Sequence, residues 1–70
     1  MVDEVARQVL EVLVEAPPGT ALDPVHIAER ASLLPAEVDA ALYRLRLARL
    51  VVRLPPQPKR RRRYSVAPGR

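Results

Sequence analysis

Prolines fix where the helices of this chain can begin and end. Proline lacks a backbone N–H, so the first turn of a helix accepts it and the helix interior does not. Pro24 and Pro35 each open a run with helical spacing, and Asp23 can cap the first of these runs. The pair at positions 17 and 18 ends the run before it. Three helices are therefore predicted, over about residues 2–16, 24–31 and 35–48.

Each predicted helix has an apolar side that can contribute to one core. Residues 2–16, placed at 100° per residue, separate into a broad apolar face and a charged face. In the second helix Ala28 and Ala31 are expected to point inward, together with either Val25 or Ile27. The buried face of the third helix is predicted to contain Val38, Ala41, Leu42 and Leu45. A chain of 70 residues has room for one such core, so residues 1–70 are predicted to form a single domain.

The period of the sequence changes after the third helix. Residues 50–54, LVVRL, are short and β-branched, and the prolines that follow them break the run. Residues 60–66, RRRRYSV, can return as a second strand, in which Arg60 and Arg62 project to one face and Arg61 and Arg63 to the other. The alternative is a disordered basic tail. Tyr64 and Val66 favour the hairpin because they give the returning strand something to bury.

Charge is distributed unevenly along the chain. Residues 1–42 contain all eight acidic residues and two basic ones, whereas residues 43–70 contain ten basic residues and no acidic one. This asymmetry favours a polyanionic partner, of which nucleic acid is the commonest. Mutual neutralisation of the two halves, within the fold or in a dimer, is the alternative.

Several functional classes are disfavoured by composition. The chain has no cysteine and one histidine, His26, and it lacks a glycine-rich phosphate loop. No nucleophile is paired with a base, so we expect neither an enzyme nor a bound cofactor or metal. The N-terminal residues are acidic and no apolar run approaches the length of a membrane span. A cytosolic protein that does not associate with membranes is expected.

The order of these elements is similar to that of a known domain. The stretch HIAERASLLPAEVDAALYRLRLARLVVRL, followed by a basic segment and RYSVAPGR, resembles the winged helix-turn-helix domain of small bacterial transcription regulators of the MarR, ArsR and PadR groups. The resemblance covers about residues 20–70. It implies a mainly α fold of three helices and a β-hairpin wing, with the third helix in the major groove of duplex DNA.

Three positions and the chain end depart from the pattern of that domain. Ser32 stands where relatives have glycine in the turn between the helices, and Leu34 stands where a Ser or Thr cap precedes the third helix. Arg49 occupies a position that is glycine in many relatives. If its backbone is left-handed, the cost is about 1 kcal/mol or slightly more; the alternative is that the helix ends differently here. The sequence stops at APGR, so no dimerisation helix is expected, and a homodimer would have to use another surface.

The resemblance assigns the DNA contacts to the third helix and the wing. Groove-side contacts are expected from Tyr43, Arg44 and Arg46, while Glu37 and Asp39 in the same helix repel phosphate and Glu37 can accept from a cytosine amine. Phosphate contacts are expected from the basic residues of the hairpin, and four to six of them would make binding strongly dependent on salt. These are Arg53, Lys59, Arg60, Arg61, Arg62 and Arg63.

A second interpretation of the third helix remains open. Ala36, Ala40, Tyr43 and Leu47 follow the spacing of a continuous apolar stripe on the side away from the core. Such a stripe can read DNA, bind a protein such as a polymerase or replication component, or be covered within the monomer. The leading hypothesis is a homodimeric, DNA-binding transcription regulator, and the alternative is a protein adaptor.

Overall fold

The structure, a computed structural model, describes residues 3–17, 20–55, 58 and 62–67. Within that part, no helix has both the length and the apolar run needed to cross a bilayer. Three helices are followed by one antiparallel hairpin, so the predicted class, mainly α with a small β-hairpin, is confirmed. The elements are α1 (Glu4–Glu15), α2 (Pro24–Ala31), α3 (Pro35–Leu47), β1 (Val51–Arg53) and β2 (Tyr64–Val66).

α1 is slightly shorter at both ends than the predicted 2–16. Asp3 has an extended backbone and serves as the N-cap, its Oδ1 accepting a hydrogen bond from Ala6 N at 2.8 Å. At the other end Ala16 is extended because it precedes Pro17, which disfavours the helical conformation. Position 2 lies outside the described residues.

α2 and α3 begin in different ways. Asp23 caps α2, its Oδ1 accepting from His26 N at 2.9 Å, and Pro24 occupies the first turn as expected. Leu34, the N-cap of α3, has no side-chain acceptor, and the Glu37 carboxylate instead accepts from Leu34 N at 3.0 Å. That bond is half of a capping box. α3 ends at Leu47, one residue before the predicted end.

Two non-glycine residues adopt left-handed backbones. Ser32 (φ 58°) ends α2 and Arg49 (φ 62°) follows α3. After α3, Arg49 N donates to the Arg46 carbonyl and Leu50 N donates to the Leu45 carbonyl, both at 3.0 Å, a Schellman arrangement. Of the two possibilities left open for Arg49, the structure shows the left-handed one. The tight turn positions β1 directly after α3.

The core lies where the three helices meet the hairpin. α1 contacts α2, α3 and β2, so its broad apolar face is used by several neighbours. In α2 the inward residue is Ile27, whereas Val25 is exposed, which decides between the two candidates; Ala31 is only half-buried. The four residues predicted for α3 are all buried. The buried apolar residues are Ala6, Val9, Leu13, Leu22, Ile27, Ala28, Val38, Ala41, Leu42, Leu45, Val51 and Tyr64.

The hairpin is shorter than predicted and has an additional partner. β1 and β2 pair with Val51 opposite Val66 and Arg53 opposite Tyr64. Of the predicted strands 50–54 and 60–66, only three residues each are strand, although the ladder continues by one bond from Leu54 N to the Arg63 carbonyl at 2.9 Å. Residues 59–61 lie outside the described residues. Leu22 forms an isolated antiparallel bridge to Tyr64, with N–H···O distances of 2.8 and 3.0 Å.

Candidate nucleic-acid interface

A groove brings together four of the residues predicted to bind DNA. α3 contributes Tyr43 and Arg46, β1 contributes Arg53, and Arg62 comes from the segment before β2. None of the three arginines forms an ion pair with another described residue. Their guanidinium groups therefore remain available to an anionic ligand. The remaining lining residues are Pro24, Val25, Pro35, Asp39 and Tyr64.

The α3 side of the groove follows from helical geometry. Pro35, Asp39, Tyr43 and Arg46 are four, four and three residues apart, which places them along one narrow stripe at 100° per residue. This stripe is rotated away from the buried face of α3, so that the helix packs with one side and presents the other. Tyr43 is 61% exposed, and its ring is accessible for stacking or hydrogen bonding.

The hairpin side of the groove is held by a buried tyrosine. Tyr64 is 8% exposed, and its backbone bonds to Leu22 tie β2 to the segment before α2. Because Tyr64 pairs with Arg53 in the hairpin register, the bridge also fixes where Arg53 leaves the sheet. This isolated bridge was not predicted. The sequence has no clear signal for it, because a single apolar residue before the Asp23 cap does not predict pairing with Tyr64.

Arg44 lies apart from the groove. Its guanidinium forms an ion pair with the carboxylate of Asp3, the N-cap of α1. Both side chains are substantially exposed, and pairs of this kind contribute about 0–1 kcal/mol. The predicted contact of Arg44 with a base remains a prediction, and it requires this guanidinium to exchange Asp3 for DNA.

The basic segment is described only in part. Lys59, Arg60 and Arg61 lie outside the described residues. Arg62 is exposed and lines the groove, whereas Arg63 is half-buried and its carbonyl extends the hairpin ladder. Both precede β2, which begins at Tyr64. The predicted alternation of arginines along a strand therefore does not apply to these two residues.

The apolar stripe on α3 is exposed along its length. Ala36 and Ala40 are exposed, and Leu47 is 67% exposed. The hypothesis that the stripe is covered within the monomer is therefore wrong for the described residues. Leu47 also lines a second groove with Tyr43, Val52 and Arg53. The aromatic ring of Tyr43 thus belongs to both surfaces.

The outer face of α1 has the opposite electrostatic character. Arg7 is bound by Glu4 and by Glu11, the latter at 2.6 Å. The hydrogen bond to Glu4, followed by Coulombic attraction to Glu11 and Glu4, raises the pKa of Arg7 above its ordinary value. The basic group on this face is already neutralised by its neighbours. No cluster of three metal-ligating side chains occurs among the described residues.

Asp39 is a groove residue that the sequence interpretation did not assign to a site. Glu37 was considered the acid able to meet a base, but its carboxylate caps α3. Asp39 instead shares the groove with three arginines. Its spacing of four residues from Tyr43 was the available signal, because residues at i and i+4 share a helix face.

Comparison with known proteins identifies the fold. No protein-family model and no curated protein sequence matches the chain. The apo-Zalpha domain of zebrafish PKZ superposes with a TM-score of 0.80 at 15% identity, over 93% of this chain and 94% of that one. The Zalpha domain of Carassius auratus PKZ, solved in complex with Z-DNA, gives 0.73 at 17% identity over 90% and 92%.

A bacterial regulator shows the same fold. The Helicobacter pylori ferric uptake regulator Fur superposes with a TM-score of 0.77 at 24% identity, over 93% of this chain. This chain spans 45% of the Fur chain. Together with the three helices, the hairpin and the Leu22 bridge, these likenesses establish that the chain has the winged-helix fold.

Proposed function

We propose that this protein binds double-stranded DNA, with α3 in the major groove and the hairpin on the adjacent phosphate backbone. The observation that carries the proposal is the convergence of Tyr43, Arg46, Arg53 and Arg62 on one groove of a winged-helix fold. Arginine is suited to phosphate because its planar fork donates two parallel hydrogen bonds. The Z-DNA complex of a structural neighbour supports a nucleic-acid ligand for this surface.

The charge distribution supports the same partner. Residues 43–70, which include the C-terminal half of α3 and the hairpin, contain ten basic residues and no acidic one. Such a surface attracts a polyanion over a long range and accelerates encounter. Lys59, Arg60 and Arg61 extend this charge in sequence, and we assign them to phosphate contacts with Arg62 and Arg63.

We infer the biological role from the fold and the proposed ligand. A DNA-binding winged helix suits a transcription regulator that acts in the cytosol by binding and not by catalysis. A homodimer would present two copies of α3 to a two-fold symmetric site, as helix-turn-helix dimers do. Sedimentation of the protein with and without duplex would establish the oligomeric state.

The central test is the salt dependence of duplex binding. Fluorescence anisotropy with a labelled mixed-sequence duplex should show binding at low salt. With four to six phosphate contacts, affinity should fall by about two to three orders of magnitude between about 50 and 200 mM salt. Absence of binding at the lowest salt would refute the proposal.

A pair of charge-matched variants locates the interface. Arg46→Ala removes a groove arginine, whereas Arg30→Ala removes an exposed arginine of α2 that does not line the groove. If Arg46 contacts a phosphate, its replacement should weaken all duplexes alike and reduce the magnitude of the salt slope by about 0.9. Arg30→Ala should leave the duplex affinity and the salt slope unchanged. Equal effects would mean that only net charge matters.

The form of the duplex needs its own measurement. An alternating dC and dG duplex can be held in the right-handed or the left-handed form and compared at the same salt. Circular dichroism of the DNA reports the handedness during titration. Preference for the right-handed form agrees with α3 in a major groove, whereas preference for the left-handed form would replace that docking geometry and retain DNA binding.

Exposure of Leu47 favours a second candidate function. Leu47 is an exposed apolar residue of α3, and it lines a groove with Tyr43 and Val52. Such a surface suits an adaptor that binds a protein such as a polymerase or replication component. Leu47→Asp discriminates between the candidates. Dissociation of an oligomer or loss of a partner, with unchanged DNA affinity, supports the adaptor.

A further inference from the structure

Asp39 carries a negative charge in the groove that we assign to DNA. It lies on the side of α3 that lines the groove, one helical turn before Tyr43 and two turns before Arg46. Arg53 and Arg62 line the same groove from the hairpin. A groove selected only for attraction to phosphate would have no carboxylate at this position, because like charges repel.

The carboxylate of Asp39 has no structural role among the described residues. The N-terminus of α3 is served by Glu37, whose carboxylate accepts from Leu34 N. Asp39 is exposed and forms no hydrogen bond or ion pair with another described side chain, although three arginines share its groove. Its oxygens therefore remain free to accept hydrogen bonds from a ligand.

Base chemistry narrows what that ligand atom can be. A carboxylate accepts hydrogen bonds and cannot donate them at neutral pH. Phosphate oxygens, guanine O6 and thymine O4 are acceptors as well, and they are repelled. The major-groove donors are the N4 amino group of cytosine and the N6 amino group of adenine. Adenine N6 lies beside the N7 acceptor, which repels a carboxylate, so cytosine N4 is the donor that pairs with Asp or Glu side chains. Arginines beside the carboxylate can hold the flanking phosphates and the guanine edge.

We propose that Asp39 is a specificity-determining residue, which accepts a hydrogen bond from the N4 amino group of a cytosine and rejects other bases at that position. This inference rests on the proposed binding of duplex DNA by the groove. It assigns opposite tasks to two kinds of residue: the arginines supply affinity for any sequence, and Asp39 lowers that affinity except where a cytosine is presented.

The experiment is a selection from a randomised duplex pool, followed by sequencing of the bound fraction. Wild-type protein, Asp39→Asn, Asp39→Ala and Glu15→Gln are compared. Glu15→Gln is the matched control, since it removes an exposed carboxylate from α1, outside the groove. All four should fold alike by circular dichroism, because Asp39 and Glu15 are exposed and neither caps a helix.

The wild-type protein should enrich cytosine at one position of the selected site by about fivefold or more, the lower end for a specific side-chain contact to a base. Asp39→Ala should lose that preference while the other positions keep theirs, and its affinity for the unselected pool should rise. Asp39→Asn should also lose the cytosine preference, because its amide can donate to acceptors. Glu15→Gln should select the wild-type site.

Three results would overturn the inference, and only the third would also overturn the proposed binding of duplex DNA. The same base preference in wild type and Asp39→Ala refutes the role of Asp39 and leaves duplex binding intact. Binding without enrichment of any base has the same meaning. Failure of the wild-type protein to retain any duplex at low salt refutes both this inference and the proposed function.

Discussion

The outer face of α1 and the groove between α3 and the hairpin use arginine in opposite ways. On α1, Arg7 is held between Glu4 and Glu11 and its charge is satisfied within one helix. In the groove, Arg46, Arg53 and Arg62 have no ion-pair partner among the described residues. The difference teaches that net charge alone does not identify a binding surface. Arginines without an ion-pair partner are the better indicator, because their guanidinium groups can bind an anionic ligand.

The largest expected effect comes from removing the residue that holds the groove together. Tyr64→Ala deletes a buried ring and should lower the free energy of unfolding by about 3 kcal/mol or more. Tyr43→Ala, at a position 61% exposed, should change it by about 0.5 kcal/mol or less. Urea denaturation measures both values. A comparable loss for Tyr43→Ala would mean that this ring belongs to the core and not to the surface.

The two tyrosines also separate stability from binding. Tyr43→Phe retains the ring and removes the hydroxyl, so it tests whether the groove uses hydrogen bonding or stacking. Duplex affinity should fall with Tyr43→Ala although the variant remains folded. If the affinity of Tyr43→Ala is unchanged, the groove binds DNA through its arginines alone. The groove and the outer face of α1 would then differ only in whether their arginines are paired.

A direct test of the comparison removes the unpaired arginines together. Combining Arg46→Ala, Arg53→Ala and Arg62→Ala should weaken duplex binding by about 100-fold at moderate salt, since three cationic contacts to the duplex are lost. Arg7→Ala should leave binding unchanged, because its charge is already opposed by two carboxylates. Anisotropy titrations of both proteins decide the matter. If Arg7→Ala weakens binding as strongly as a single groove variant, the pairing argument fails.

Sequence reasoning was most successful where a residue type has one structural use. Pro24 and Asp23 located the start of α2 because a capping acid followed by proline has few other meanings. The core face of α3 followed from its periodicity. At Arg49 the sequence left two helix endings open, and the structure shows the left-handed one, in which a tight turn needs a positive φ.

Sequence reasoning was less successful where the outcome depends on tertiary neighbours. Arg44 and Arg46 have the same charge and are two residues apart, but one reaches back to Asp3 and the other lines the groove. Only the packing of α1 against α3 separates them. Leu22 likewise becomes a strand partner through its bridge to Tyr64, which lies far away in sequence and could not be inferred from a single apolar residue.

A smaller effect on stability is expected from replacing the left-handed residues that follow α2 and α3. Arg49→Gly should stabilise the protein by about 1 kcal/mol, because glycine adopts the left-handed conformation without steric cost. For a domain of this size that corresponds to a rise in Tm of about 4–8 °C. Ser32→Gly is the matched comparison at φ 58°. If Arg49→Gly stabilises the protein and weakens duplex binding, the Arg49 side chain is also a phosphate contact.

The smallest effect concerns Arg44, a predicted DNA contact that forms an ion pair with Asp3. Asp3→Asn keeps an N-cap of similar quality and removes the charge opposite Arg44, so stability should change by only a few tenths of a kcal/mol. Asp3→Ala removes the cap as well and should cost about 1 kcal/mol. If Arg44 can contact DNA, Asp3→Asn should raise duplex affinity by about twofold at low salt and steepen the salt slope, since the released guanidinium adds a cationic contact to the duplex. Arg44→Ala should cancel that gain in the double variant. If Asp3→Asn leaves the duplex affinity unchanged, Arg44 resembles Arg7: its ion pair is intramolecular and it does not contact DNA.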